Sequence, residues 1–216
     1  MGSRPGKGRG QVSTPRVLVM TPSRGTCAMG YHKSILAALN ERHPYIDFDT
    51  DHNWPEDVCV VRARMAHYAR REGYDRVFFW DSDVSMTVEM FLAIARSPHD
   101  FAAGLYVNSG GKIPFLGDPV RVGDWMQVTH VPMGAACLSA KMLAAIDERT
   151  PKFLDIMPGT GEEIWTPDAF AKLNDQRGRS LSEDYSFCTR ALYAGFRPHV
   201  YTGDTATHWK MVPLKA

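Results

Sequence analysis

The protein has 216 residues and a mass of 24.2 kDa, which is enough chain for one domain with a substantial buried core. The composition, with 44% hydrophobic, 11% aromatic and 23% charged residues, is that of an ordinary folded protein and excludes a largely disordered chain. No apolar run reaches the roughly 18 to 20 residues of a membrane span, and the N-terminus does not resemble a signal peptide. We therefore expect a cytoplasmic protein.

The charges are nearly balanced, with 25 Lys and Arg residues against 24 Asp and Glu residues. Four of the basic residues lie within the first 16 positions, which contain no acid, so the rest of the chain has 21 basic against 24 acidic residues. This balance disfavours a broadly basic body that binds nucleic acid. The glycine-rich residues 1–15 are predicted to form a flexible basic tail, and residues 16–216 the folded domain. The four cysteines form no C-x-x-C pair, which argues against a structural zinc site.

From residue 16 onward, short apolar runs alternate with stretches of helical periodicity, which is typical of α/β proteins. Residues 110–119 and 151–180 are predicted to be irregular, apart from a short helical piece near residues 168–173. The Gly and Pro content of residues 151–180 predicts a mobile lid rather than a packed element. The predicted elements in chain order are strand 16–21, helix 29–42, strand 46–50, helix 57–72, strand 76–80, helix 87–96, strands 101–107 and 133–138, helices 139–149 and 182–194, and strand 198–202.

Two aspartates directly follow the apolar strand that is predicted at residues 76–80. Asp81 and Asp83 have one residue between them, and strand alternation returns every second side chain to the same side, so both can face one ion. The carboxyl end of a strand is also where open α/β sheets bind ligands. Carboxylate oxygens suit a hard divalent cation, Mg²⁺ or Mn²⁺, which commonly bridges phosphates. The alternative interpretation is a solvated turn with an Asp-capped helix start.

An acidic pair and a late histidine are further candidates. Glu183 and Asp184 lie in the first turn of a predicted helix, where the helix dipole favours negative charge and capping alone would explain them. Successive helical residues point about 100° apart, so we expect one acid to face the cleft and the other to cap the helix. His208 stands in a polar setting, and as a ligand beside Asp83 its imidazole nitrogen would suit Mn²⁺ better than Mg²⁺.

Several short segments, each weak as a signal by itself, occur together in this chain. They are Val61-Arg62-Ala63-Arg64, Phe78-Phe79-Trp80-Asp81-Ser82-Asp83-Val84, Ala103-Gly104-Leu105-Tyr106 with Lys112, Met133-Gly134-Ala135-Ala136-Cys137-Leu138, and Glu183-Asp184-Tyr185-Ser186-Phe187-Cys188 followed by His208. In this order and spacing they resemble the GT-A fold glycosyltransferases, which use nucleotide sugars. The resemblance runs from residue 16 to about residue 210. It implies a single Rossmann-like α/β domain with a mixed, mainly parallel central sheet flanked by helices.

The resemblance also implies a reaction and a set of site residues. The donor would be a nucleotide-diphosphate sugar, the cofactor Mn²⁺ (or Mg²⁺), and the acceptor group a hydroxyl. Asp83 and His208 would bind the metal, and Asp81 would bind it through water or contact the ribose. Asp184 would accept the acceptor's proton in an inverting reaction, with Glu183 beside it, whereas in a retaining reaction Asp184 would only bind the acceptor or the sugar. The further donor contacts implied are Thr21, Ser23, Arg24, Arg64, Ser82, Lys112 and Gly134.

Two other functions stay open. One is a nucleotidyltransferase, a class that has a similar Rossmann-like sheet and also uses a metal ion to bind phosphates. Such enzymes usually have a Gly-rich loop with a Lys or Arg directly after strand one, and residues 22–26 match that loop poorly, which counts against this function. A non-catalytic module that binds a nucleotide sugar or nucleic acid would show metal-insensitive binding and no product. The acceptor is open among a soluble glycan, a protein side chain and a modified DNA base. Aromatic residues near the loops that are candidates for stacking on a sugar or base are Trp125, Trp165, Tyr185 and Trp209.

Overall fold

The computed structural model describes residues 14–23, 27–41, 43–49, 57–107, 117–156 and 161–209. The predicted tail, except residues 14 and 15, and the predicted donor residues Arg24 and Lys112 lie outside these ranges. The strands are β1 (Val17–Met20), β2 (Ile46–Asp49), β3 (Arg76–Trp80), β4 (Val84–Ser85), β5 (Phe101–Val107), β6 (Val120–Val122), β7 (Trp125–Gln127), β8 (Ala135–Ser139), β9 (Lys152–Ile156), β10 (Glu163–Pro167) and β11 (His199–His208). The helices are α1 (Met29–Asn40), α2 (Val58–Arg71), α3 (Val88–Ala95), α4 (Ala140–Asp147) and α5 (Glu183–Tyr193).

Nine strands form one sheet in the order β2-β1-β3-β8-β5-β11-β7-β6, with β4 paired to β11 beside this path. β1 pairs in parallel with both β2 and β3, and β5 pairs in parallel with β11. β8 lies antiparallel between β3 and β5. Five of the six strands from β2 to β11 therefore run in one direction, and the sheet is mixed and mainly parallel.

The core lies on both faces of this sheet, and β3 shows why. Val77 and Phe79 pack in the cluster formed with α2, α4 and α5, whereas Phe78 and Trp80 pack in the cluster formed with α1 and α3. All four side chains are fully buried. A strand that is covered on both faces needs apolar residues at every position, and this explains the continuous run in the sequence.

The helices begin where the local signals predict. Asp57, Thr87, Ser139 and Ser182 each cap a helix by accepting a hydrogen bond from a backbone N–H two or three residues ahead. Gly195 follows α5 with a φ of +88°, a conformation that glycine adopts without strain. Within the described ranges, no helix combines the length and the apolar character that crossing a lipid bilayer requires.

The segment predicted to be a lid contains a β-hairpin. β9 and β10 pair antiparallel over five residue positions, so the expectation that residues 151–180 cannot form a packed element is wrong. Residues 169 and 170 form a turn, and residues 168 and 171–173 have no regular secondary structure, so the predicted helix is not formed. The β6–β7 hairpin and the short β4 were also not predicted. The ordering of residues 151–180 over a bound donor stays a prediction.

A buried ion pair attaches the β9–β10 hairpin to α2. Arg64 donates to Asp155 through Nε at 2.7 Å and through Nη2 at 2.5 Å, and both side chains are buried. Arg71 on the same helix donates to Glu162 at 3.1 Å, but there both side chains are largely exposed. Among the described residues, a buried ion pair and a solvent-screened ion pair thus join this region to a single helix.

We expect Asp155→Ala to lower the free energy of unfolding by about 3 to 5 kcal/mol, because it deprives the buried Arg64 guanidinium of its bidentate partner. Urea unfolding followed by circular dichroism measures this change. The matched control is Glu162→Gln, which removes the exposed pair on the same hairpin and should cost less than about 1 kcal/mol. Equal losses in the two variants would show that the buried pair is not what holds the hairpin.

Candidate active site

The candidate site lies at the edge of the sheet where β1, β3 and β5 end and β8 begins. Asp81 follows β3, and its N–H donates to the Gly134 carbonyl at 2.9 Å, just before β8. Arg62 from the second turn of α2 and Asp184 from the first turn of α5 reach the same edge. The topology therefore brings polar residues from distant parts of the chain to the carboxyl edge of a mainly parallel sheet, where such sheets bind ligands.

Arg62 is the centre of the site, with only 3% of its side chain exposed. Its Nη2 donates to both carboxylate oxygens of Asp81, at 3.0 and 2.9 Å. Its Nη1 donates to Asp184 Oδ1 at 2.7 Å and more weakly to Glu183 Oε1 at 3.4 Å. One guanidinium therefore holds three carboxylates, one from the end of β3 and two from the start of α5.

This arrangement sets the protonation states of the cluster. Burial opposes the charge on Arg62, but the carboxylates of Asp81, Asp184 and Glu183 raise its pKa above the ordinary value, so it is a permanent cation. Burial raises the pKa of Asp184 to about 6, with Arg62 lowering it and Glu183 raising it by smaller amounts. Asp184 therefore exchanges a proton close to neutral pH, as a general base requires.

Asp83 and His208 form a second polar pair beside this cluster. The end of β11 pairs antiparallel with β4, with His208 opposite Val84, and this pairing places His208 Nε2 3.1 Å from Asp83 Oδ2. Burial raises the pKa of Asp83, the nearby Asp81 raises it further, and His208 lowers it. The Nδ1 atom of His208 is buried and has no hydrogen-bond partner among the described residues.

Asp83 and His208 offer one oxygen and one nitrogen donor to a cation. Neighbouring donors around an octahedral ion with bonds of about 2.1 Å lie about 3 Å apart, and the observed 3.1 Å agrees with that spacing. Asp81 differs from these two residues in that both of its carboxylate oxygens already accept hydrogen bonds from Arg62. In the part of the chain that the structure describes, no group of three or more His, Cys, Asp or Glu side chains is placed to hold a metal ion. Two donors at this spacing are compatible with a metal site, and the assignment of Asp83 and His208 as ligands, with Asp81 as a third, stays a prediction.

Gly134 and Tyr106 line the site next to Asp81. A Cβ atom at Gly134 would lie 2.9 Å from Asp81 Oδ2 and 3.2 Å from the Tyr106 hydroxyl, so the close approach needs glycine. Burial, with the nearby Asp81 charge, holds the pKa of Tyr106 well above its ordinary value, and the phenol stays protonated. Its ring centroid lies 5.6 Å from that of His208. Tyr106 was part of a segment quoted from the sequence but was not predicted as a site residue, since an apolar strand gives no sign of which tyrosine reaches a cleft.

The predicted donor residues have different surroundings. Thr21 directly follows β1, and its hydroxyl lies 2.7 Å from the Tyr31 hydroxyl in the buried interior. Ser82 is in the turn between the two aspartates, and its carbonyl accepts from Ala28 N–H at 2.8 Å, at the start of α1. Ser23 lies just beyond β1. Contacts of these residues with a donor stay predictions.

The arginine at the centre of the cluster is Arg62 rather than Arg64. The two residues are about 200° apart around the helix, so only one of them can face the site. Arg64 faces the β9–β10 hairpin, where Asp155 holds it. Nothing in the local sequence distinguishes these two positions.

The acidic pair also differs from the expectation that one acid caps the helix and the other faces the cleft. Ser182 is the cap, since its Oγ accepts from Tyr185 N–H at 3.3 Å. Glu183 and Asp184 both reach Nη1 of Arg62, and that division of roles is therefore wrong. Asp184 makes the shorter contact, 2.7 Å against 3.4 Å.

No protein-family model matches the sequence, and no curated protein matches it. Among solved structures, the fold is similar to that of A197 from STIV, at 15% identity and a TM-score of 0.54, over 91% of this chain and 86% of that one. It is also similar to GalNAc-T7, solved with UDP, GalNAc and Mn²⁺, at 6% identity and a TM-score of 0.57. That match covers 94% of this chain but only 45% of the GalNAc-T7 chain. At these identities the similarity shows a shared fold, and the predicted fold class, α/β with a mixed, mainly parallel central sheet flanked by helices, is confirmed.

We expect Arg62→Met to lower the free energy of unfolding by about 3 to 5 kcal/mol near pH 8, because it leaves three carboxylates close together without their cation. Arg62 lowers the pKa of Asp184 in the wild type, so its loss raises that pKa further above the unfolded value, and the folded variant binds a proton more tightly. The free energy of unfolding of the Arg62→Met variant should therefore increase again as the pH falls from about 8 to about 5. Urea unfolding at several pH values measures this, with Arg71→Met on the same helix as the control. A loss that is independent of pH would contradict the role given to Arg62.

Proposed function

We propose that the protein is a metal-dependent glycosyltransferase that moves a sugar from a nucleotide-diphosphate sugar to an acceptor hydroxyl. The observation that carries this proposal is the juxtaposition of two units at one sheet edge. One unit is the carboxylate cluster around Arg62, which contains an acid with a pKa of about 6, and the other is the Asp83–His208 pair. The fold shared with GalNAc-T7, solved with UDP, GalNAc and Mn²⁺, supports the same reaction class.

The donor is proposed to lie over the ends of β1 and β3. Thr21, Ser23 and Arg24, which follow β1 in the sequence, would contact the base and ribose, and Ser82 and Lys112 are further proposed donor contacts. A divalent ion, Mn²⁺ or Mg²⁺, held by Asp83 and His208 would supply the positive charge that stabilises the diphosphate leaving group. Asp81 is fixed in orientation by its two bonds to Arg62, and it would accept a hydrogen bond from the ribose or from a metal-bound water. Arg64 would support the site indirectly by holding the hairpin on α2.

The acceptor hydroxyl must lose a proton as it attacks the sugar carbon, and Asp184 is proposed to receive that proton. With a pKa of about 6 the carboxylate is mostly ionised at neutral pH, yet it is a stronger base than an exposed aspartate. The 2.7 Å bond from Arg62 fixes its Oδ1 and so its orientation. Gly134 allows Asp81 to lie close to the backbone before β8, because a Cβ atom there would be 2.9 Å from Asp81 Oδ2.

The direct test is a screen of nucleotide-diphosphate sugars for release of nucleoside diphosphate, with and without Mn²⁺, followed by candidate acceptors. Release that depends on Mn²⁺ and increases with an acceptor is the expected result. Release of pyrophosphate from a nucleoside triphosphate and a sugar phosphate would instead identify a nucleotidyltransferase. Metal-insensitive binding without any product would identify a binding module.

We expect chelation of divalent ions to abolish transfer and added Mn²⁺ to restore it, because the leaving diphosphate needs the positive charge. Asp83→Asn should lower kcat by about 100-fold or more and leave the melting temperature nearly unchanged, since this side chain is 43% exposed. Asp204→Asn, at a partly buried aspartate of β11 that accepts a hydrogen bond from Thr87, is the matched control. Full turnover in excess chelator would contradict the metal assignment.

We expect Asp184→Asn to lower kcat by about 10² to 10⁴-fold with normal donor binding, because the general base is lost. Glu183→Gln should have a kcat close to that of the wild type, since the hydrogen bond from Arg62 to Glu183 is long, at 3.4 Å. In the wild type, kcat should rise with pH through about 6 and level off above it, as the Asp184 carboxylate becomes ionised. Asp184→Asn should lose this dependence. Loss of activity in Glu183→Gln alone would assign the base to Glu183.

A further inference from the structure

Trp209 directly follows His208, and its indole lies against the first turn of α1. A Cβ atom at Gly30 would be 2.3 Å from the indole Nε1 and 2.6 Å from Cε2, closer than any atom pair tolerates. The indole can therefore occupy this place only because residue 30 is glycine. The residue is 46% exposed, so core burial does not account for a tryptophan here.

Two hydrogen bonds of Trp209 cross from the end of β11 to the segment that contains Asp83. Its backbone N–H donates to the Asp83 carbonyl at 2.7 Å, and its indole Nε1 donates to Ser85 Oγ at 2.8 Å. The start of α1 is joined to the same segment, since Ala28 N–H donates to the Ser82 carbonyl at 2.8 Å. Trp209 thus connects three parts of the chain, which are the end of β11, the turn after β3 and the first turn of α1.

We propose that Trp209 is a positioning residue that keeps the side chains of Asp83 and His208 together, an inference that rests on the proposed function of this pair as metal ligands. β11 and β4 pair through only two residue positions, which is a short ladder for fixing a strand end. The Asp83 and His208 side chains are 43% and 27% exposed, so water competes for their contact. The two bonds of Trp209 and its packing on Gly30 hold the backbone on both sides of that contact.

Two variants remove this arrangement in different ways. Trp209→Phe keeps an aromatic ring but loses the Nε1 donor, and Gly30→Ala leaves Trp209 intact but displaces its indole. We expect both to bind Mn²⁺ about tenfold more weakly, in titrations that follow the electron paramagnetic resonance signal of free Mn²⁺, because partners that orient metal ligands typically contribute this much. Their melting temperatures should change little. Trp165→Phe, at a tryptophan of β10 that is 62% exposed, is the matched control and should bind like the wild type.

A second measurement separates this inference from the proposed function. The Trp209 amide is bonded to the Asp83 carbonyl, so its hydrogen exchange reports whether the end of β11 stays in place. In Gly30→Ala we expect this amide to exchange about tenfold faster, with the amides of β1 unchanged. If the wild type binds no Mn²⁺ but this acceleration is found, the metal site is wrong and the positioning by Trp209 holds. Unchanged exchange, or unchanged Mn²⁺ affinity in both variants of a chain that binds Mn²⁺, overturns the inference.

Discussion

The buried guanidinium of Arg62 is the interaction on which the rest of the candidate site depends. Asp81, Glu183 and Asp184 would repel one another in a poorly hydrated cleft, and a buried cation between them makes their assembly possible. Arg62 and Asp184 are separated by 122 positions in the chain, so this contact also fixes α5 relative to α2 and the end of β3. The charge balance of the site and the packing of the surrounding elements are therefore set by the same side chain.

The geometry around Arg62 also separates the chemistry of neighbouring acids. Asp81 uses both oxygens for Arg62, which fixes its orientation, whereas Asp184 accepts one short bond and has a pKa of about 6. Asp83 lies outside this cluster and pairs with His208 instead. The carboxylate cluster around Arg62 and the Asp83–His208 pair thus lie side by side on one sheet edge, each with its own hydrogen-bond partners.

Helix α2 carries two buried ion pairs that serve different parts of the fold. Arg62 faces the site, and Arg64, about 200° further around the helix, faces Asp155 of the β9–β10 hairpin. Buried pairs of this kind add little net stability compared with apolar packing, but they are costly to break from one side. Their effect here is to fix orientation, so that the hairpin and the acidic cluster both take their position from one rigid helix.

The sequence by itself determined the elements around the site, because a continuous apolar run such as β3 and a cap such as Ser182 depend on residues only a few positions away. It also drew attention to Asp81, Asp83, Asp184 and His208 as candidates. Tertiary structure alone decided which arginine of α2 faces these acids, since that depends on where β3 and β9 lie around the helix. It also decided that Asp83 contacts His208 while Asp81 contacts Arg62, because β11 must return beside β4 before those side chains meet. These contacts join residues far apart in the chain, and no local pattern of residues encodes them.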